Sequence, residues 1–164
     1  MSEVKQVIFT DPAFPGNTNH ETHIIQLIDD SPENSSIKMV MSGFDLHSVA
    51  NSLIRAARRN VNVKLIVEHS NLHIINYFDN RQNPNLQIIP ANGCFGHIHT
   101  KLFLFSETKI NNISAFYVAV AGSATMTEYS THIQQNNIVI VDKPLYNSLH
   151  NYWDTMLSHL YILP

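Results

Sequence analysis

Apolar positions along the chain follow two periods. Short apolar runs at Val4–Phe9, Ile37–Met41, Val61–Val67, Leu86–Ile89, Leu102–Phe105, Phe116–Ala121 and Asn137–Val141 have the length and β-branched or aromatic content of strands. Between them lie stretches with helical spacing. Thr18 or Asn19 caps the first, which runs to about Asp29 with Ile24, Leu27 and Ile28 on one face. The second is the clearest, with Asp45 as its expected N-cap and Leu46, Val49, Ala50, Leu53, Ile54 and Ala57 as its stripe. Arg55, Arg58 and Arg59 crowd its C-terminal end, where cations suit the helix dipole, and Asn60 closes it. His69–Asn80 is a weaker helix with Leu72, Ile75 and Phe78 as its apolar side. Asp142-Lys143-Pro144 opens the last helix, with an acidic cap, Pro near its first turn, and Leu145, Leu149, Trp153, Met156 and Leu160 along one side.

Turn-forming residues separate these elements at Asp11–Asn17, Ser31–Ser36 and Arg81–Asn85. Strand, helix and strand over 37–67 form a βαβ unit, so those two strands are expected to be parallel. Thr127–Ser130 opens a short helical turn. No repeat, linker or low-complexity tract interrupts the pattern. The expectation is one α/β domain over residues 1–164: a mixed sheet with helices on both faces.

Chemistry concentrates between Gly96 and Thr127. A strand period of two puts His97, His99 and Lys101 on one face and Ile98, Thr100 and Leu102 on the other. The next apolar run ends in Gly122-Ser123-Ala124-Thr125-Met126-Thr127. An imidazole, an ammonium, a hydroxyl and free backbone N–H groups at a Gly-Ser turn together suit a phosphate group. Each part alone has a plainer reading. A lone His-x-Lys is ordinarily surface chemistry. Gly122 is needed first for backbone conformation. His97 and His99 share a face as metal ligands do, but no third ligand pattern accompanies them. The arginine cluster reads as a solvated helix end before a nucleic-acid contact, and Cys94 as a small filler in a loop.

Composition narrows the picture. At 164 residues and 44% hydrophobic content the chain suits one domain with a sizeable core. A formal net charge of −3 means that a polyanion must be drawn by a local patch, not by the overall field. Ten histidines turn that balance positive below about pH 6.5. One cysteine excludes an intrachain disulfide. The first residues lack the basic and apolar regions of a signal peptide, and no apolar run approaches the roughly eighteen residues of a membrane span. The cytoplasm is the expected compartment, or the host cytoplasm if the chain is viral.

His99-x-Lys101 followed by Gly122-Ser123-x-Thr125-x-Thr127 resembles the phospholipase D superfamily, whose motif reads H-x-K-x4-D and then G-S-x-N. The pattern is most similar to small bacterial endonucleases of that superfamily with one motif per chain, from about Val4 to Leu157. Three positions depart from it. Ser106 stands where the family has Asp, with Glu107 one place late. Thr125 stands for Asn. Gln135, within Gln134-Gln135-Asn136-Asn137, stands for the acidic residue that normally follows.

The resemblance implies a metal-independent phosphodiesterase with no cofactor. The motif His attacks phosphorus and forms a phosphohistidine, and a second motif His protonates the leaving group. One motif per chain then implies a homodimer with a composite active site on its two-fold axis. Lys101 would bind the non-bridging oxygens, with Gly122, Ser123 and Thr125 forming the rest of the phosphate site. Gln135 would orient His99, with Glu107 or Glu128 as possible substitutes for the missing carboxylate. DNA is the expected substrate. The alternatives are a phospholipase D type lipid hydrolase, with Ala13-Phe14-Pro15 as its only candidate lipid-facing loop, and a weak or inactive relative that binds nucleic acid.

Overall fold

The computed structural model describes residues 3–11, 13, 19–92, 97–159 and 161–162. In chain order the elements are β1 (Glu3–Thr10), α1 (Asn19–Asp29), β2 (Ser36–Met41), α2 (His47–Arg58), β3 (Asn62–Glu68), α3 (Leu72–Asp79), β4 (Leu86–Asn92), β5 (Lys101–Ile110), β6 (Ile113–Gly122), a 3-10 turn (Tyr129–His132), β7 (Gln135–Val141), α4 (Lys143–His159) and β8 (Tyr161–Ile162). The strands form one sheet in the order β1-β7-β6-β5-β2-β3-β4-β8. β2, β3 and β4 are parallel, as the βαβ spacing predicts, and every other pairing is antiparallel.

The sheet is buried on both faces at its centre. On one face Ile37, Met39, Leu65, Val67, Phe103 and Phe105 meet Ile24, Leu27, Ile28, Val49, Leu53 and Phe78 from α1, α2 and α3. On the other, Val40, Ile66, Leu102, Leu104 and Ala119 meet Tyr146 and Trp153 of α4. This is why the central strands read as continuous apolar runs. Burial of each large side chain contributes about 1.5–3 kcal/mol. The single-domain mixed sheet with helices on both faces is therefore the observed fold.

Three local devices set the frame of the site. Asn111 and Asn112 both have positive φ, 52° and 63°, in the two-residue turn that joins Ile110 to Ile113. Such a turn matches strand twist and pins register. The far ends of β5 and β6 consequently finish together, with Leu102 opposite Ala121. Asn60, φ 63°, ends the α2 region in the left-handed conformation that Asn tolerates. Asp142 caps α4: its Oδ1 accepts the Leu145 N–H at 2.6 Å.

Several expectations need correction. Asp45 does not cap α2, whose N-cap is Leu46 with no side-chain bond. Its carboxylate instead accepts the Glu128 N–H at 2.7 Å, across the loop that follows β6. Leu72 is 62% exposed, and Ile74 takes its place on the buried side of α3. Leu145 is likewise exposed, because Tyr146 and Trp153 anchor α4. Arg55 and Arg59, though partly exposed, are structural. Arg55 grips the Asp29 carboxylate at 2.8 and 3.0 Å, and Arg59 donates to the Ile28 and Asp29 carbonyls at 3.1 Å each. They fasten the C-terminus of α1 to α2, where those carbonyls lack intrahelical partners. Thr18, Phe14-Pro15, Cys94, Gly96 and Leu160 lie outside the described residues.

Candidate active site

The C-terminal ends of β2, β3 and β4 share one edge of the sheet with the start of β5, the end of β6 and the start of β7. Ligands of open α/β sheets bind at such an edge. The strand starts only at Lys101, so His97 and His99 belong to the extended lead-in and not to β5 itself. Alternation persists through it: His97 and His99 are exposed and Ile98 between them is buried. Lys101 Nζ donates to the His99 carbonyl at 2.8 Å. Partial burial pulls the Lys101 ammonium below its ordinary pKa.

Continuing the Leu102–Ala121 pair by one step sets Lys101 beside Gly122, which in turn pairs with Asn137. A Cβ on Gly122 would lie 2.0 Å from the Asn136 carbonyl oxygen and 2.5 Å from Asn137 Oδ1. Only glycine lets β7 approach this closely. Ser123 then locks the turn. Its N–H donates to the Asn136 carbonyl at 2.8 Å, and its hydroxyl accepts the Asn136 N–H at 2.9 Å.

The following residues point two ways. Ala124 and Met126 are buried. The Thr125 hydroxyl lies 3.0 Å from that of Thr127 and also bonds the buried Ser130 hydroxyl. Backbone bonds stitch this loop to the one after β2: the Met126 N–H donates to the Gly43 carbonyl at 3.0 Å, and the Met126 carbonyl accepts the Asp45 N–H at 2.9 Å.

Gln135 opens β7 at the same edge, two residues before Asn137, as His99 stands two before Lys101. Two strand spacings, about 10 Å, separate the two backbones. Gln135 Oε1 is buried with no hydrogen-bond partner among the described residues. Glu107 is elsewhere. It pairs with Phe116, six residues beyond Lys101 and therefore about 20 Å along the strand. It cannot orient His99. Ser106 is also structural, its hydroxyl accepting the Ser36 N–H at 2.8 Å. Glu128 is exposed at the head of the 3-10 turn, and its described bonds are all through its backbone, to Asp45 and Thr131.

Sequence reasoning missed three groups at this edge. Glu68 ends β3 nearly buried, with Oε1 3.2 Å from His97 Nδ1. Asn71 ties the loops after β2 and β3 together: it accepts the Phe44 N–H at 3.0 Å and donates to the Ser42 and Glu68 carbonyls at 3.1 and 2.8 Å. Thr10 and His20 form a buried pair beneath β7. Glu68 alone had a signal, a carboxylate directly after the apolar run Leu65–Val67.

Comparison with known proteins gives the family and the fold. The family model for the cardiolipin synthase, PLD-like domain matches residues 24–159, and the chain belongs to that family. It is accordingly a member of the phospholipase D superfamily, whose fold is that of phosphodiesterases. The structure is similar to Nuc from Salmonella typhimurium, described as a phospholipase D family member, with TM-score 0.73, 20% identity and 99% of each chain covered. It is similar to NucT from Helicobacter pylori, with TM-score 0.74, 16% identity, and 99% of this chain and 100% of that one covered. A third likeness is to phosphatidylserine synthase of Haemophilus influenzae, with TM-score 0.65 and 16% identity, over 92% of this chain and 36% of that one. No curated protein matches in sequence. Among the described residues no helix is long and apolar enough to cross a membrane.

Proposed function

We propose that the chain, as one phospholipase D-like domain over residues 1–164, is a metal-independent DNA endonuclease that works as a cytoplasmic homodimer. The observation that supports this best is the setting of His99 and Lys101 beside the Gly122-Ser123 turn, at the ligand-binding edge of the sheet, once per chain. In this reading His99 Nε2 attacks phosphorus while the P–O bond to the leaving nucleotide breaks. The second copy's His99 gives its proton to the departing oxygen. Water then attacks the phosphohistidine, the P–N bond breaks, and the second copy's His99 takes the water proton. Lys101 holds the non-bridging oxygens beside the Gly122-Ser123 turn, the Ser123 hydroxyl joins it by turning its proton away from Asn136, and Gln135 orients the ring. Thr125 supports the turn through Thr127 and Ser130. The full-length likeness to Nuc and NucT, each close to this chain in size, favours a small nuclease over a larger lipid enzyme.

The test is cleavage of plasmid and single-stranded DNA in excess EDTA, with phosphatidylcholine vesicles as the lipid arm and His99→Ala as control. DNA cleavage that falls at least about 10³-fold in His99→Ala, from a particle of dimer mass by light scattering, is expected. Cleavage of lipid alone overturns the substrate, and a monomeric active enzyme overturns the shared site. No cleavage of either substrate favours a non-catalytic nucleic-acid binder.

A further inference from the structure

His20 is a buried titratable group that the proposed chemistry does not use. It lies in the first turn of α1, 1% exposed, with Nδ1 2.5 Å from the Thr10 hydroxyl. Thr10 is the last residue of β1 and pairs directly with Gln135 in the β1–β7 ladder. Directly opposed residues of an antiparallel pair project to the same face, with Cβ atoms about 4.5–5.5 Å apart. The Thr10 side chain meets α1, so Gln135 projects to the α1 side as well. Two buried polar atoms flank this threonine without a hydrogen-bond partner among the described residues: His20 Nε2 and Gln135 Oε1. A buried polar group left unpaired is costly to the fold. The pair is complementary, because an imidazole nitrogen accepts or donates according to its tautomer and an amide offers both functions.

Building on the phosphodiesterase reading, we propose that His20 is a positioning residue, bonding the Gln135 amide through Nε2 and so deciding which end of that amide faces His99. With the His20 proton on Nδ1, toward Thr10, Nε2 accepts the Gln135 N–H. Oε1 then turns to accept the Nδ1 proton of His99, the tautomer that presents Nε2 to phosphorus. Burial holds His20 below its ordinary pKa despite the nearby Glu21, which keeps Nε2 unprotonated near neutrality. A protonated His20 would donate from Nε2, hold Oε1 inward and turn the amide N–H₂ toward His99, the wrong end for the nucleophile.

Two replacements separate positioning from packing. His20→Asn keeps a polar atom near the Nδ1 position and the contact with Thr10 but does not reach Gln135. His20→Gln places an amide at the Nε2 position. His20→Asn is expected to lower kcat about 10- to 100-fold with little change in KM. It should also convert His99 from the Nδ1–H to the Nε2–H tautomer, read from imidazole ¹⁵N shifts. His20→Gln should restore both. If His20→Asn does not fold, Thr10→Val, which leaves the ring and removes its anchor, takes its place with the same expected loss. The tautomer is measured on resting protein, so it decides the proposal even if the chain cleaves nothing and the phosphodiesterase reading fails. Equal loss of thermal stability in both His20 variants, with the His99 tautomer unchanged, would overturn it.

Discussion

Adding one methyl group at Gly122 tests whether the close approach of β7 builds the phosphate turn. In Gly122→Ala the new Cβ would sit 2.0 Å from the Asn136 carbonyl oxygen and 2.7 Å from Asn137 Cα. Both obstacles are backbone, so no side-chain rotation relieves them. A normal carbon–oxygen contact needs more than 1 Å of extra space. That shift breaks the 2.8 Å bond from the Ser123 N–H to the Asn136 carbonyl and loosens the Gly122–Asn137 pair. Overpacking costs about 1–3 kcal/mol and a lost backbone bond about 1 kcal/mol, for a total of roughly 2–4 kcal/mol. For a domain of this size each kcal/mol lowers Tm by about 2–4 °C, so a drop of about 5–15 °C is expected. Gly43→Ala is the control. Its Cβ would meet the Thr127 side-chain methyl at 3.0 Å, a tight contact with a group that can shift, and should cost less than about 1.5 kcal/mol. Urea unfolding followed by circular dichroism gives both values, and DNA cleavage reports the displacement of Ser123. If Gly122→Ala is no less stable than Gly43→Ala, the packing account of the turn is wrong.

Two further outcomes follow from other contacts of the fold. Asp45→Ala should cost about 1 kcal/mol, as loss of a capping bond does, with hydrogen exchange rising at the Glu128 amide and not in the first turn of α2; faster exchange in α2 alone would return Asp45 to the role of helix cap. His23 is held neutral by burial, its pKa lowered from 6.5 to about 4, so the unfolded chain binds a proton there that the folded chain refuses. Its contribution is full above pH 6.5 and is lost as pH falls from 6.5 toward 4, by at most about 3 kcal/mol before solvent screening reduces it. His20 acts with the same sign, whereas Asp154, held below its ordinary value by Lys38, acts only at lower pH. Urea midpoints at pH 7 and 4.5 should converge in His23→Gln, and an unchanged gap would clear His23 of the effect.

What the sequence determined by itself was whatever depends on neighbours along the chain. Apolar periodicity located the central strands and α2, because β2 and β3 are buried on both faces and α2 on one. Asp142 and Asn60 acted where they stand, since a cap or a left-handed residue works within a few positions. The motif residues His99, Lys101, Gly122 and Ser123 were legible by spacing, and the Asn111-Asn112 turn explains why that spacing converges in space. Tertiary structure decided what depends on partners distant in sequence. Asp45 bonds Glu128 and not its own helix, because loops from β2 and β6 meet at the sheet edge. Glu107 reads as adjacent to the motif yet lies about 20 Å away, because an extended strand carries each residue some 3.3 Å further from the edge. Arg55 and Arg59 sit at the exposed helix end that the sequence suggested, yet they also close the end of α1, which no local pattern could indicate. Glu68 reaches His97, and Thr10 meets His20 while it pairs with Gln135, only because three-dimensional packing of separate strands and a helix sets these partners together.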